Sequence, residues 1–291
     1  MQGWSYTTIA ALAWAAAPMI AFGFAGSRIA HFCGRLPLVI RLALPAVFGV
    51  PYALAGTPPH TTRWLLLYFT LPIAAAVLEW HAKQQDPEQR GDWRDFAILL
   101  VLGLAVDLRW LDPAWPERLR VIGKLIFLDA GLYAFLGIRQ LDGVGFDLRV
   151  RLDDVTTALR ELLFYAPFAI SLGFALGFLH WTSASPRSGA AVVTVAVTFF
   201  FIAIPEEIYF RGWIQNLLAR RLGRNASLWA TSLIFGLSHF NKRAAHFNWR
   251  YVLLAAIAGI FYGRAWQRKN RVAASAITHT CVDAIWSLWL R

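Results

Sequence analysis

The chain has 291 residues, of which 58% are hydrophobic and only 15% are charged, and its mean hydropathy is +0.49. Soluble domains carry roughly 25% charged residues, and one core cannot enclose this much apolar surface. The composition therefore excludes a soluble enzyme and a disordered chain. A formal charge of +11 is typical of basic loops beside anionic lipid headgroups, so we expect the lipid bilayer and no nucleic acid as partner.

Long apolar stretches recur along the whole chain between charged residues, prolines and glycines. They predict an all-α, polytopic transmembrane helical bundle of about 8–10 spans, because one span needs about 17–25 residues. We therefore expect an integral, multi-pass protein, placed in the inner membrane of a bacterial cell. The candidate spans are 6–26, 36–55, 64–80, 96–108, 121–138, 158–180, 189–210, 226–240, 249–265 and 273–290. The short stretch 96–108 is the one we expect to be re-entrant or interfacial.

A polar stretch near the middle of the chain divides it into two modules. Residues 1–142 predict an N-terminal transmembrane module of unknown role, and 143–154 a polar interfacial linker. The alternating residues 146–151 favour a short strand or an extended segment, and Asp153 and Asp154 favour the start of a helix. Residues 155–291 form the third predicted segment, and every unusual group of polar residues lies in it, beyond residue 200.

The first such group is the Glu206-Glu207 pair followed by Arg211, at the end of an apolar run. On a helix, Glu207 and Arg211 share a face and can pair, whereas Glu206 points about 100° away. A charge at the centre of a span costs at least ~2.5–3.5 kcal/mol, so such clusters are candidate functional sites. The plainer interpretation is a helix end at which these charges meet water.

Two histidines form the other groups. His239 closes the apolar run 226–240, where a satisfied interfacial histidine is the plainer interpretation. His279 and Asp283 lie one helical turn apart on one face of an apolar segment, where they could simply pair and hold helices together.

Together these residues predict a shared polar cavity between three helices. A carboxylate and a histidine can deprotonate a water molecule, and a second histidine can stabilise the oxyanion that the attack creates. This chemistry hydrolyses a peptide bond without a covalent intermediate. The sequence has no Gly-x-Ser-x-Gly elbow and no His-Glu-x-x-His motif, which would indicate serine or zincin hydrolases.

The three groups also resemble the motifs of a known family. Glu206-Glu207-x-x-x-Arg211, Phe235-x-x-x-His239 and His279-x-x-x-Asp283 are similar, in order and spacing, to those of the CAAX protease and bacteriocin-processing (CPBP, or Abi) family of intramembrane endopeptidases. The resemblance covers about residues 155–291. It implies an endopeptidase that acts on a membrane-associated protein or peptide.

The resemblance implies a role for each motif residue. Glu206 with His239 would activate the attacking water, Glu207 with Arg211 would support the site, and His279 with residue 283 would stabilise the oxyanion. The family often has Asn at the last position, whereas this chain has Asp283. Because an ionised Asp would repel an oxyanion, we expect Asp283 to orient His279 as a charged donor.

Three other interpretations stay open at this stage. No cofactor is expected, but Glu206, His239, His279 and Asp283 are acceptable zinc ligands. A non-catalytic immunity or scaffold protein could use the same residues as a buried polar network. A proton-coupled transporter using the Glu pair is the third, although the sequence shows no inverted repeat.

Overall fold

The computed structural model describes residues 5–55, 62–182, 188–244 and 246–290. In these ranges the regular structure is helical and contains no strand, which confirms the prediction of an all-α protein.

The chain divides into two compact units, Met1–Asp142 and Gly143–Arg291. The α-helices of the first unit are α1 (Tyr6–Arg35), α2 (Leu38–Ala43), α3 (Val50–Leu54), α4 (Thr62–Gln85), α5 (Trp93–Asp107) and α6 (Arg120–Leu132). Those of the second are α7 (Leu152–Ala175), α8 (Ser188–Thr198), α9 (Ile204–Glu207), α10 (Asn216–Leu222), α11 (Arg224–Leu237), α12 (Trp249–Lys269) and α13 (Val272–Trp289).

Among the residues that the structure describes, five helical stretches are long and apolar enough to cross a membrane. They are Tyr6–Arg35, Thr62–Gln85, Glu117–Arg139, Leu152–Ala175 and Gly189–Leu222. The stretch Leu38–Leu54 is apolar but shorter, and the other predicted spans fall on helices α5, α11, α12 and α13, which are shorter or less apolar. The chain is therefore an integral, multi-pass membrane protein.

A buried charge cluster holds three helices of the first unit together. Arg139 lies in a π-helical turn, Tyr133–Arg139, that continues α6. Its guanidinium donates to Asp95 at 3.0 Å and to Asp86 at 2.7 Å, and lies 3.6 Å from Glu79. Glu79 is in α4, Asp86 directly follows it, and Asp95 belongs to the capping box of α5. One cation thus joins α4, α5 and the end of α6.

The second unit begins with an irregular segment, residues 143–151, in place of the short strand that was one of the two predictions. The Gly145 carbonyl accepts a hydrogen bond from the Val272 amide at 2.9 Å. Gly145 has φ +72°, and a Cβ there would lie 1.9 Å from the Asn270 carbonyl oxygen. Only glycine fits this approach, which attaches the segment to the turn between α12 and α13.

Arg271 fixes the same segment by its side chain. The guanidinium donates to Asp147 at 3.2 Å and to Asp154 at 2.8 Å. Asp153 and Asp154 lie in the first turn of α7, where carboxylates are stabilised by the helix dipole, as the sequence predicted. The last three residues of the predicted linker, 152–154, are therefore helical.

The helix that carries the Glu pair contains two π-helical segments. α8 passes through a π-helical segment, Phe199–Ala203, into α9, and a second π-helical segment, Ile208–Gln215, leads into α10. Pro205 lies in the first turn of α9 and has no amide hydrogen to donate, which removes one α-helical hydrogen bond. π-Helical turns are frequent at functional sites, and here they flank Glu206 and Glu207.

Small residues let α11 and α12 approach closely. A Cβ on Gly236 would lie 2.6 Å from both the Val252 carbonyl oxygen and the Ala256 Cβ. Such close contact is typical of membrane helix pairs, in which glycine allows the backbones to meet. The contact positions His239, directly after α11, beside α12, and α12 in turn packs on α13.

Candidate active site

Glu207 and Arg211 form a fully buried ion pair at the centre of the second unit. The Arg211 Nη1 atom lies 2.9 Å from Glu207 Oε1, and neither side chain has any exposed surface. Arg211 also donates to the Gly259 carbonyl of α12 at 3.0 Å. Its guanidinium stacks on the Phe235 ring, 4.6 Å from the ring centroid. The pair therefore joins the Glu-bearing helix to α11 and α12.

His279 lies between the two adjacent glutamates. Its Nδ1 atom is 2.8 Å from Glu207 Oε1, and its Nε2 atom is 3.9 Å from Glu206 Oε2 and 3.5 Å from Asp283 Oδ2. The sequence associated Glu206 with His239; in the structure Glu206 also approaches His279. Three carboxylates thus surround one imidazole ring.

The carboxylates differ sharply in exposure. Glu207 has no exposed side-chain surface, whereas Glu206 is 28% exposed and Asp283 is 29% exposed. His279, between them, is almost completely buried. The exposed surface of the cluster therefore belongs to Glu206 and Asp283, although the Glu206 Oε2 atom that faces His279 is itself buried, and Glu207 is fully enclosed.

His239 is held by the end of its own helix. Its Nδ1 atom lies 2.9 Å from the Phe235 carbonyl oxygen and 3.1 Å from Ser238 Oγ. A carbonyl oxygen only accepts hydrogen bonds, so Nδ1 carries the proton and, in the neutral ring, Nε2 keeps its lone pair. The ring is close enough to Glu206 and His279 to interact with both electrostatically. His239 thus presents a basic nitrogen.

Aromatic rings enclose the two histidines. Tyr262 of α12 stacks on His279, with ring centroids 4.6 Å apart and an interplanar angle of 17°. Phe235 contacts both His239 and His279, and Tyr251 contacts His239 with centroids 4.8 Å apart. Such packing lowers the local dielectric constant and strengthens each charge interaction in the site.

The structure adds two supports that the motif reasoning missed. Ser275 is fully buried and its hydroxyl donates to Glu207 Oε2, so Glu207 has partners on both oxygens. Tyr262 fixes the plane of the His279 ring by stacking. Ser275 lies four residues before His279, and this spacing puts both on one helix face. The sequence contained that signal for Ser275, whereas Tyr262 depends on how α12 packs against α13.

The zinc alternative requires Glu206, His239, His279 and Asp283 to converge on one point. Within the described ranges, no three His, Cys, Asp or Glu side chains are arranged to hold a metal ion. In this arrangement His279 Nδ1 is directed at Glu207, and its Nε2 at two carboxylates. No step of the chemistry below is assigned to a metal.

Part of the chain matches the model of a known protein family. Residues 188–285 match the family model of the type II CAAX prenyl endopeptidase Rce1-like proteins. This match confirms the resemblance to the CAAX protease family. The matched segment begins in α8 and ends in α13, so it contains all six motif residues. Neither the curated proteins nor the solved structures contain a significant match to the chain.

The match concerns the second unit alone, since it begins at residue 188. It supports protease activity on a membrane-associated peptide or protein.

Proposed function

We propose that the protein is an intramembrane endopeptidase that hydrolyses a peptide bond of a membrane-associated protein or peptide by means of an activated water. The observation that carries this proposal is the difference in exposure at the site. Glu206 and Asp283 are partly exposed, whereas the neighbouring Glu207–Arg211 pair is fully buried. A general base needs a carboxylate that water can contact, which Glu206 provides, and the buried Glu207–Arg211 ion pair holds the surrounding groups in place.

The first step joins water to the scissile carbonyl carbon. Glu206 and the Nε2 lone pair of His239 accept hydrogen bonds from the water, and Glu206 takes its proton as the hydroxide oxygen bonds to carbon. The carbonyl electron pair moves onto oxygen to give a tetrahedral oxyanion. His239 suits this role because Phe235 fixes the proton on Nδ1.

His279 stabilises the oxyanion. In its protonated form it donates from Nδ1 to Glu207, and its Nε2 hydrogen, which faces Asp283 and Glu206 before substrate binds, turns to the oxyanion as that charge forms. Asp283, 3.5 Å from Nε2, holds the ring in its charged form and sets its direction. Collapse of the oxyanion then breaks the carbon–nitrogen bond, and Glu206 returns its proton to the leaving amine.

Glu207, Arg211 and Ser275 hold this arrangement and do not touch the substrate. Removing a general base lowers rates by about 10²–10⁴-fold, so the roles separate by experiment. As the location of this multi-pass protein we propose the inner membrane of a bacterial cell.

The test compares new peptide termini in membranes of cells that express the native protein, Glu206→Gln or Glu88→Gln at equal abundance. Glu88 is an exposed loop residue paired with Arg90, so its substitution is the matched control. We expect termini that appear with the native protein and the control and disappear with Glu206→Gln. Identical termini in all three would contradict the proposal and favour the immunity or scaffold interpretation.

The zinc interpretation has a separate test on the purified protein. If Glu206 and His239 activate the water by themselves, cleavage should survive chelation and the metal content should stay below one equivalent. Loss of activity on chelation, with recovery on adding Zn²⁺, would replace this mechanism with a metal-activated water.

A further inference from the structure

A second cavity lies in the same unit, beside the candidate active site. Its volume is about 460 Å³. It is formed by the residues after α7, the loop from α11 to α12, the first turn of α12 and the last turns of α13. Its lining includes Phe178, Trp249 and Trp286 and two arginines, Arg243 and Arg250.

The cavity and the active site share a wall. Tyr251 contacts His239 on one side and Trp286 on the other, with centroids 4.8 Å and 5.4 Å apart. Trp286 lines the cavity and lies one turn after Asp283 on α13. A peptide at the active site can therefore extend into the cavity within a few residues, since an extended chain advances about 3.3 Å per residue.

The cations in the cavity are placed to receive an anion. The Arg243 guanidinium lies 3.9 Å from the Trp286 ring centroid, which fixes its plane. The backbone of Arg243 has a left-handed φ of +61°, a conformation that residues other than glycine seldom adopt. No carboxylate of the described residues is within ion-pair distance of Arg243 or Arg250. The N-terminus of α12 at Trp249 and Arg250 adds the positive end of a helix dipole.

The charge therefore changes sign between the two neighbouring regions. The exposed groups of the active site are the carboxylates Glu206 and Asp283, and those of the cavity are the two arginines. A guanidinium forms paired hydrogen bonds with a carboxylate. We propose that the cavity is a subsite for a carboxylate of the substrate peptide, close to the bond that is cut. This inference rests on the proposed function, and it names a feature of the substrate.

The carboxylate has two possible sources, the free C-terminus of the peptide or an acidic side chain. Three fluorescent peptides with one apolar sequence separate them. The first ends in a free carboxylate, the second ends in an amide, and the third ends in an amide but carries one Glu three residues earlier. Binding is measured by fluorescence anisotropy in nanodiscs of phosphatidylcholine, on the Glu206→Gln background so that no peptide is cut.

We expect one or both carboxylate peptides to bind at least tenfold more tightly than the plain amide, in line with charge-assisted hydrogen bonds. The double substitution Arg243→Gln with Arg250→Gln should abolish that preference. Both arginines are exposed, so the variant should fold. The control is Arg160→Gln with Arg268→Gln, two exposed arginines outside the cavity, and it should keep the preference.

Equal binding of the three peptides, or a preference that survives the double substitution, would overturn the inference. A further arm uses nanodiscs that contain phosphatidylglycerol. If the arginine substitutions change lipid binding and leave peptide binding alone, the cavity is a lipid headgroup site and the inference is wrong. Because binding is measured without cleavage, absence of proteolysis in the termini experiment would refute the proposed function and leave this test intact.

Discussion

Each of the two units contains a fully buried arginine that is ion-paired with at least one carboxylate, but the groups around the two arginines differ. In the first unit Arg139 contacts Glu79, Asp86 and Asp95, and no histidine is among these partners. In the second unit the buried Glu207–Arg211 pair is joined by His279, and the carboxylates of Glu206 and Asp283 are more than a quarter exposed.

The two clusters show how charged groups that only join helices can be distinguished from charged groups that take part in a reaction. A buried ion pair by itself is weak evidence of function, because it also joins helices, as Arg139 does. What distinguishes the second unit is a histidine in contact with the pair and two neighbouring carboxylates that are partly exposed. The predictions below test that distinction.

The largest effect is expected from the reachable residues. Glu206→Gln and His239→Asn should each lower kcat by about 10²–10⁴-fold, because each removes a proton acceptor from the attacking water. The double variant should be little worse than either single one, since both act on the same proton transfer. Kinetics of the purified variants on the substrate found by termini analysis test this, and full additivity would show that the two residues do not work together.

Replacement of either buried arginine should lower stability, but only the replacement of Arg211 should also lower activity. Arg139→Gln and Arg211→Gln each leave carboxylates uncompensated, which costs about 3–5 kcal/mol of unfolding free energy. We expect Arg139→Gln to keep the native rate per folded molecule and Arg211→Gln to lose it. Unfolding in detergent measures the stability of each variant, and kcat divided by the folded fraction from the same curves measures its rate per folded molecule. Equal loss of rate in the two variants would erase the distinction between the clusters.

Ser275→Ala should have a smaller effect of about tenfold on kcat, with KM unchanged, because it removes one hydrogen bond to Glu207. A purely structural role would lower stability without altering the pH dependence of kcat. We expect that pH profile to shift, and Ser275→Thr to restore it in part because the hydroxyl is retained. Ser287→Ala, at a hydroxyl that bonds only within its own helix, is the matched control.

The smallest effect concerns the segment that precedes α7. Burial alone would raise the pKa of Asp147, but the Arg149 amide and the Arg271 guanidinium lower it below its usual value. A lowered native pKa stabilises the fold above the unfolded value of about 3.9, and that contribution is lost as pH falls further. We therefore expect the unfolding midpoint to fall between pH 5 and pH 3, and to fall less in Asp147→Asn. Parallel curves would show that Asp147 contributes nothing.

Much of the candidate site could be predicted because it depends on spacing within one helix. Glu207 with Arg211, and His279 with Asp283, are four residues apart, so any helix brings each pair together. The Asp residues at the start of α7 and the apolar spans follow from equally local rules. These features needed no knowledge of which helices are neighbours.

Other features arise only between elements distant in sequence. That both glutamates approach His279, that Arg211 donates to the Gly259 carbonyl, and that Tyr262 stacks on His279 all depend on the packing of α12 and α13. The arginine cavity likewise combines residues from three helix ends.

The sequence by itself determined that the chain is an all-helical membrane protein and which six residues form the motifs, because composition and helical periodicity act locally. The tertiary structure decided which carboxylate is enclosed and which is exposed. The exposure of a side chain depends on the neighbours that cover it, and the neighbours of Glu207 on α13, Ser275 and His279, lie more than sixty residues further along the chain.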